Sequence, residues 1–306
     1  MVLSPSLFSM LLQRFIEHLT YERRSSPHTV LAYQRDLGQL AAYIKEKTGK
    51  EGAEHADDRT VRSWMMHLLE RGDSARTVNR KLSAVRAFFR FARTVGSADS
   101  DPTALIEPPK TPKRLPEFIE EGRMAAVFTG DEAALTFKGL TDRTVLELLY
   151  GTGMRLAELL GLRPGDVDTA SRTLRVLGKR NKERIIPLSD HLAYVLITYM
   201  NARKVALGGE SVALPLLVSE TGEPVARRSV QRTVERYLSR ATTQRKRSPH
   251  VLRHTFATHL LNNGADLNAV KELLGHANLA ATQVYTHNTV EKLRNAHRKA
   301  HPRGGE

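Results

Sequence analysis

The sequence predicts a mainly α-helical protein of two domains, with a small β-sheet confined to the second. Three observations carry this. At 306 residues the chain is long for one hydrophobic core, and its 41% apolar content is enough to build ordinary globular cores. The first ~105 residues repeat apolar side chains at helical spacing and show no strand signal. A proline-rich segment then interrupts, and beyond it helices surround one hairpin-like pair of strands. The expected bounds are a helical domain over 1–107, a linker over 108–116 and a second domain over 117–306.

The helical half reads as four elements. Phe8, Leu11, Leu12, Phe15, Ile16 and Leu19 make one amphipathic stripe. Ser25-Ser26-Pro27 breaks it, and Thr29 opens a second pattern through Val30, Tyr33, Leu37, Leu40 and Ile44. A third runs from Arg59 to Leu69 and stops before Gly72. The fourth, Ala75 to Val95, places Arg76, Arg80, Arg86, Arg90 and Arg93 within an arc of about 140°. Val78, Leu82, Val85, Phe88, Phe89 and Ala92 occupy about 120° on the other side. Solvated helices usually mix signs, because Glu–Lys pairs one turn apart are stabilising. A single-sign face is therefore either a surface that tracks phosphates or a plain solvated arginine face. Pro108-Pro109-Lys110-Thr111-Pro112-Lys113-Arg114-Leu115-Pro116 cannot continue a helix, and its basic residues Lys110, Lys113 and Arg114 suit the same phosphate surface.

In the second half, Thr141 to Tyr150 and the stretch through Leu160 read as helices around Gly151-Thr152-Gly153. Thr173 to Leu177 and Arg184 to Leu188 read as strands around a polar turn, and Leu216 to Val218 as a short third strand. Helices follow over Asp190–Leu207, Ser229–Ala241, Pro249–Asn262 with Gly264 as cap, Asp266–Leu274 closed by Gly275, and Thr289–Lys299.

Charge narrows the partner. Lys+Arg 47 against Asp+Glu 33 leaves a formal +14, an excess that a polyanion such as nucleic acid would relieve. The alternative is a merely basic soluble protein. The absence of cysteine excludes disulfides and thiolate metal sites and is compatible with a cytoplasmic location. No apolar run approaches the ~18 residues of a membrane span, and the N-terminus lacks a secretory pattern, so no membrane insertion is expected.

Several segments can carry chemistry. In Ser248-Pro249-His250-Val251-Leu252-Arg253-His254, Pro249 suits a first helical turn, so His250 and Arg253 share one face near a helix N-terminus, where anions are favoured. An arginine beside a titratable imidazole fits a phosphate undergoing proton transfer. His250 and His254 also have zincin-like spacing, but no Glu follows His250 and no third ligand is evident, so no metal is expected. Arg155 stands where the Gly151-Thr152-Gly153 turn enters a helix, and either pairs with an acid such as Glu158 or meets an outside anion. This Gly-x-Gly lacks the third glycine and preceding strand of a nucleotide loop. Lys179 lies at the hairpin tip, as an ammonium on an arm or a solvated turn residue. His276 follows Leu274-Gly275, and Tyr285 lies nine residues further on. Tyr285 is either an amphipathic packing residue or a nucleophile that would need a base and cationic neighbours, since its reference pKa is ~10.

Together these pieces resemble the tyrosine-recombinase (lambda-integrase-like) family, and within it the bacterial XerC/XerD group. The resemblance covers nearly the whole chain. Arg155, Lys179, His250, Arg253, His276 and Tyr285 match the family's catalytic set in order and in local context. One departure is Arg180, where similar proteins usually carry Gly after the hairpin lysine, so Lys182 is the fallback for Lys179.

The resemblance implies a C-shaped two-domain DNA clamp, with an N-terminal helical, SAM-like core-binding domain and a C-terminal α+β catalytic domain. It implies attack by Tyr285 on a scissile phosphate, a 3′-phosphotyrosine intermediate, and a Holliday junction resolved by a second exchange. Arg155 and Arg253 would clamp the phosphate, His250 and Lys179 would move protons, and His276 would add a hydrogen bond. Neither ATP nor a metal is implied, and no cofactor. The implied partners are double-stranded DNA at a dif-like site, a second Xer recombinase in a homo- or hetero-tetramer, and the DNA translocase FtsK. The implied task is chromosome-dimer resolution before cell division. The segment Thr289 to Lys299 would pack into a neighbouring protomer and gate the nucleophile. Two other readings remain: a type IB topoisomerase with the same chemistry, and a DNA-binding protein in which Arg155 and Tyr285 merely pair or pack.

Overall fold

The computed structural model describes residues 7–112, 117–129, 136–178, 182–209, 211–243, 246–275 and 287–304. The chain separates into two compact units, 1–114 and 115–306. It is mainly helical, with one three-stranded sheet among the described residues.

The first unit is built from α1 (Leu7–Glu17), α2 (Pro27–Thr48), α3 (Asp58–Glu70) and α4 (Ala75–Thr94). The single first helix expected from the sequence is in fact α1 continued by a π-helical turn, His18–Glu22, which carries Leu19 into the core. α2 begins two residues earlier than the periodicity suggests. Pro27 fits the first turn, where no N–H is needed, and the Ser26 hydroxyl accepts the Thr29 N–H at 3.2 Å. Asp57 and Ser74 cap α3 and α4 in the same way. The apolar stripe of α4 is fully buried, with Phe88 and Phe89 packed edge to face, and joins Phe15, Leu37, Leu40 and Trp64 in one core. The chain after α4 returns along it: Asn79 Nδ2 donates to the Pro109 carbonyl at 3.0 Å, and Arg86 Nη2 to that of Ile106 at 2.5 Å.

The second unit wraps around α6 (Phe137–Thr152), which is buried on nearly every side against α8 (Asp190–Ala206) and α10 (Pro249–Asn262). A short helix, α5 (Glu121–Val127), precedes α6, and α7 (Leu156–Gly161) follows it. β1 (Val167–Asp168), β2 (Thr173–Leu177) and β3 (Glu183–Pro187) form an antiparallel sheet in sequence order, with Leu174 opposite Ile186. Leu174, Val176 and Ile186 point into the core, so alternation aligns the inward face of the hairpin. The strand expected at Leu216–Val218 is not formed. These residues are buried, but only an isolated bridge from Val218 to Pro224 is made. α9 (Arg227–Ala241), α11 (Leu267–Leu274) and α12 (His287–Ala300) complete the unit. Within the chain α12 packs against β3, α10 and α11. His297 Nε2 donates to the Gly151 carbonyl at 2.8 Å, and Asn263 Nδ2 to that of Ala300 at 2.9 Å. No helix among the described residues is long and apolar enough to cross a membrane.

Candidate active site and nucleic-acid interface

The centre of the second unit is organised by two glycine turns. Gly153 ends α6 with φ +61°, and a Cβ there would sit 2.3 Å from a ring carbon of Phe256. Gly275 ends α11 with φ +64°, its Cβ position 3.2 Å from Arg184. Both positions need the left-handed conformation and the missing side chain.

After Gly153 the chain extends through buried Met154 and starts α7 at Arg155. The Glu158 carboxylate closes this turn. It accepts the Arg155 backbone N–H at 2.7 Å and Arg155 Nη1 at 2.9 Å. Arg155 therefore makes the acid pair foreseen as one alternative, yet its side chain stays 42% exposed and its Nη2 reaches only the Gly275 carbonyl, at 3.4 Å. It keeps donors for an external anion as well.

Arg253 comes from the second turn of α10 and is buried. Its guanidinium forks between the carbonyls of Gly153 and Leu274, each at 2.7 Å. Burial, and next the charge of Arg155, push its pKa down to about 10. Two cations from distant segments thus share one small volume. Glu158 offsets part of this charge, and the donors that the exposed Arg155 keeps beside a second guanidinium suit a phosphate. His250 lies one turn before Arg253 and is exposed. His254, behind it, has its pKa lowered by burial and by the charge of His250.

Lys179, Arg180, His276 and Tyr285 lie outside the described residues, as do Lys113 and Arg114. Of the residues just before two of them, Gly178 lies near Arg184 and Glu158, and Gly275 lies against Arg155. Gly178 closes the hairpin base by donating to the Lys182 carbonyl at 2.7 Å, and Gly275 is the Arg155 acceptor.

The sequence reading missed Arg184. It lies on β3, 5% exposed, and binds Glu158 through both Nη atoms at 3.0 and 2.8 Å. The signal was present: Arg184 shares the period-two face of Ile186, which points inward. Burial alone would raise the Glu158 carboxyl, but Arg184 and then Arg155 outweigh it and hold it below the ordinary carboxylate range.

On the first unit, Arg76, Arg90 and Arg93 of α4 are exposed, as is Lys110. Arg80 is not part of an acid-free face. Asp36 of α2, 2% exposed, grips it with both oxygens. Arg86 is likewise engaged, with the Ile106 carbonyl. A cleft of about 620 Å³ opens between α1, α2 and α4, with Arg23, Arg86 and Arg90 on its wall.

Comparison with known proteins bears on this arrangement. Residues 127–292 match the phage integrase family, and residues 12–96 match the phage integrase N-terminal SAM-like domain. The tyrosine recombinase XerC of Pelobacter propionicus is 40% identical, over 95% of each chain. The tyrosine recombinase XerD of Staphylococcus haemolyticus is 36% identical, over 96% of this chain and 99% of its own. Among solved structures, a lambda integrase tetramer bound to a Holliday junction has the same fold at 19% identity, with a TM-score of 0.65 over 90% of this chain and 75% of that one. The chain belongs to the phage integrase family of tyrosine recombinases, enzymes that carry out site-specific DNA strand transfer.

Proposed function

We propose that this recombinase cuts DNA with Tyr285 and that Arg155 and Arg253 hold the scissile phosphate. The Tyr285 phenol oxygen forms a bond to phosphorus as the bond to the 5′-oxygen breaks, leaving a 3′-phosphotyrosine. His250 accepts the phenol proton and Lys179 supplies one to the departing 5′-oxygen. The two guanidiniums, joined by a hydrogen bond from His276, stabilise the charge that develops on the non-bridging oxygens. Attack by a partner strand's 5′-hydroxyl reverses the chemistry and conserves the bond. The observation that carries this reading is the convergence of Arg155 and Arg253 on the Leu274–Gly275 carbonyls, with Arg155 still exposed.

The duplex is held by the exposed Arg76, Arg90 and Arg93, with Lys110, Lys113 and Arg114 continuing the basic surface and Arg80 and Arg86 at its edge. The recombinase acts in the cytoplasm on a dif-like site, in a homo- or hetero-tetramer with a second Xer recombinase, to resolve chromosome dimers before division under FtsK. The XerC and XerD relatives support that assignment, and the lambda tetramer supports the assembly.

A nicked suicide substrate carrying a dif-like site tests the chemistry. Wild type is expected to form a covalent protein–DNA adduct, and Tyr285→Phe none. An adduct from the phenylalanine variant would reject Tyr285 as nucleophile, and no adduct from wild type would favour binding alone.

A further inference from the structure

Three guanidiniums and one carboxylate meet in the second unit, and the carboxylate is shared unequally. Glu158 Oε1 accepts from Arg155 Nη1 and Arg184 Nη1, and Oε2 from the Arg155 backbone and Arg184 Nη2. All three guanidinium nitrogens of Arg184 donate internally, Nη1 and Nη2 to Glu158 and Nε to the Leu273 carbonyl at 3.0 Å. It is as buried as Glu158, each at 5% exposure, whereas Arg155 is 42% exposed. Arg184 therefore has no outlet toward a substrate, and Arg155 has one.

A buried carboxylate demands one full counter-charge. With Arg184 absent, Arg155 alone could supply it, and its guanidinium would turn inward as the partner of Glu158. With Arg184 present, Glu158 is already neutralised by the two-pronged pair, and the charge of Arg155 is surplus. Arg184 also touches the other two segments that border the site. Its Cδ and Nη1 lie 3.2 Å from the Cβ position of Gly275, and Nη1 lies 3.6 Å from that of Gly178 at the hairpin base.

The geometry points to Arg184 as a positioning residue that neutralises Glu158, so that Arg155 keeps its charge and its outer N–H groups for the scissile phosphate. This rests on the phosphate role proposed for Arg155. It assigns to a residue that never meets DNA a control over the reaction rather than over binding. The same contacts hold the Leu273–Gly275 carbonyls against which Arg155 and Arg253 are set.

The test is single-turnover cleavage of the suicide substrate at saturating protein, comparing wild type, Arg184→Gln, Arg184→Lys and Glu158→Gln/Arg184→Gln. Arg184→Gln is expected to bind DNA as wild type does and to cleave about 100-fold more slowly, as expected for a misaligned reacting group. Removing the carboxylate as well releases Arg155, so the double variant is expected to recover at least about tenfold over Arg184→Gln. Arg184→Lys, which restores the charge, is expected to stay closer to wild type than Arg184→Gln does. A purely structural role predicts the reverse for the double variant, which would lose two buried partners and be as slow as the single or slower. That result, or wild-type cleavage by Arg184→Gln, would overturn the proposal. If Arg184→Gln does not fold, the double variant is compared with Arg184→Lys, and a double variant without cleavage then overturns it. No adduct from wild type would defeat the functional reading and this inference together, whereas an active wild type with an indifferent Arg184 defeats only this one.

Discussion

The arginines of the two units do different kinds of work. In the second unit Arg155, Arg184 and Arg253 are fixed by one carboxylate and by the carbonyls of Gly153, Leu273, Leu274 and Gly275. On α4, Arg76, Arg90 and Arg93 project from an exposed face, while Arg80 and Arg86 are tied back into their own unit. Charge in a fixed, partly dry cluster acts through direction: donors already aimed cost nothing to reorient when charge develops. Charge along an exposed helix acts through sum, each phosphate contact releasing counterions regardless of its exact angle. Substitutions should therefore be sharp in one unit and shallow in the other.

The largest expected effect is at Arg253. Arg253→Lys keeps a charge but cannot fork between the carbonyls of Gly153 and Leu274, leaving one of them buried without a donor. Cleavage by the DNA-bound variant is expected to fall by about 100–1,000-fold, the usual loss for removing a donor aimed at a transition-state oxyanion. Wild-type cleavage by this variant in single-turnover assays would show that direction at this position does not matter, and would erase the contrast with α4.

A second difference is acid sensitivity. His259, His297 and His301 are all buried in the second unit, and among the described residues the first unit buries no histidine. Burial lowers the pKa of each below 6.5. Repulsion from His297 adds to this at His301, while carbonyl hydrogen bonds and, at His259, Glu121 oppose it. The unfolded chain thus binds protons near pH 6.5 that the folded unit refuses, so stability is full above that pH and falls as pH drops below it. Thermal melting at pH 7.5 and 5.5 is expected to show an acid-lowered transition for the second unit. His301 stacks on His297 with ring centroids 4.8 Å apart and lies beside Arg303, so that loss should begin where α12 docks. Equal melting temperatures at the two pH values would break this half of the comparison.

The same contrast explains what could be read from the sequence. α4 was legible because one periodicity sorted its apolar and basic faces, and the hairpin because strands alternate around a polar turn. Arg155, His250 and Arg253 could be singled out as candidates from local context, each beside a glycine turn or a proline that opens a helix, while a common role for them came only from the family resemblance. Arg184 and the hold of Asp36 on Arg80 were not read, because both are pairings across the fold that no local window contains. The short α5 and the π-helical turn after α1 also escaped. A helix of two turns offers too few positions to establish a period, and an extra residue in a turn leaves the apolar spacing nearly unchanged.

The smallest effects belong to α4, and they divide its face in two. Arg90 is exposed and its charge is available, so Arg90→Gln is expected to leave melting unchanged. It should reduce the slope of log affinity against log salt by about one, the share of a single phosphate contact. Arg80 answers to Asp36, whose carboxylate is 2% exposed. Arg80→Gln would leave that carboxylate without its fork, so it is expected to cost the first unit about 1–3 kcal/mol of stability and to change the salt slope less than Arg90→Gln does. Melting temperature and salt-dependent binding, measured on both variants, separate the two roles. If Arg80→Gln altered only binding, the ion pair with Asp36 would not hold in solution, and the acid-free face expected from the sequence would be restored.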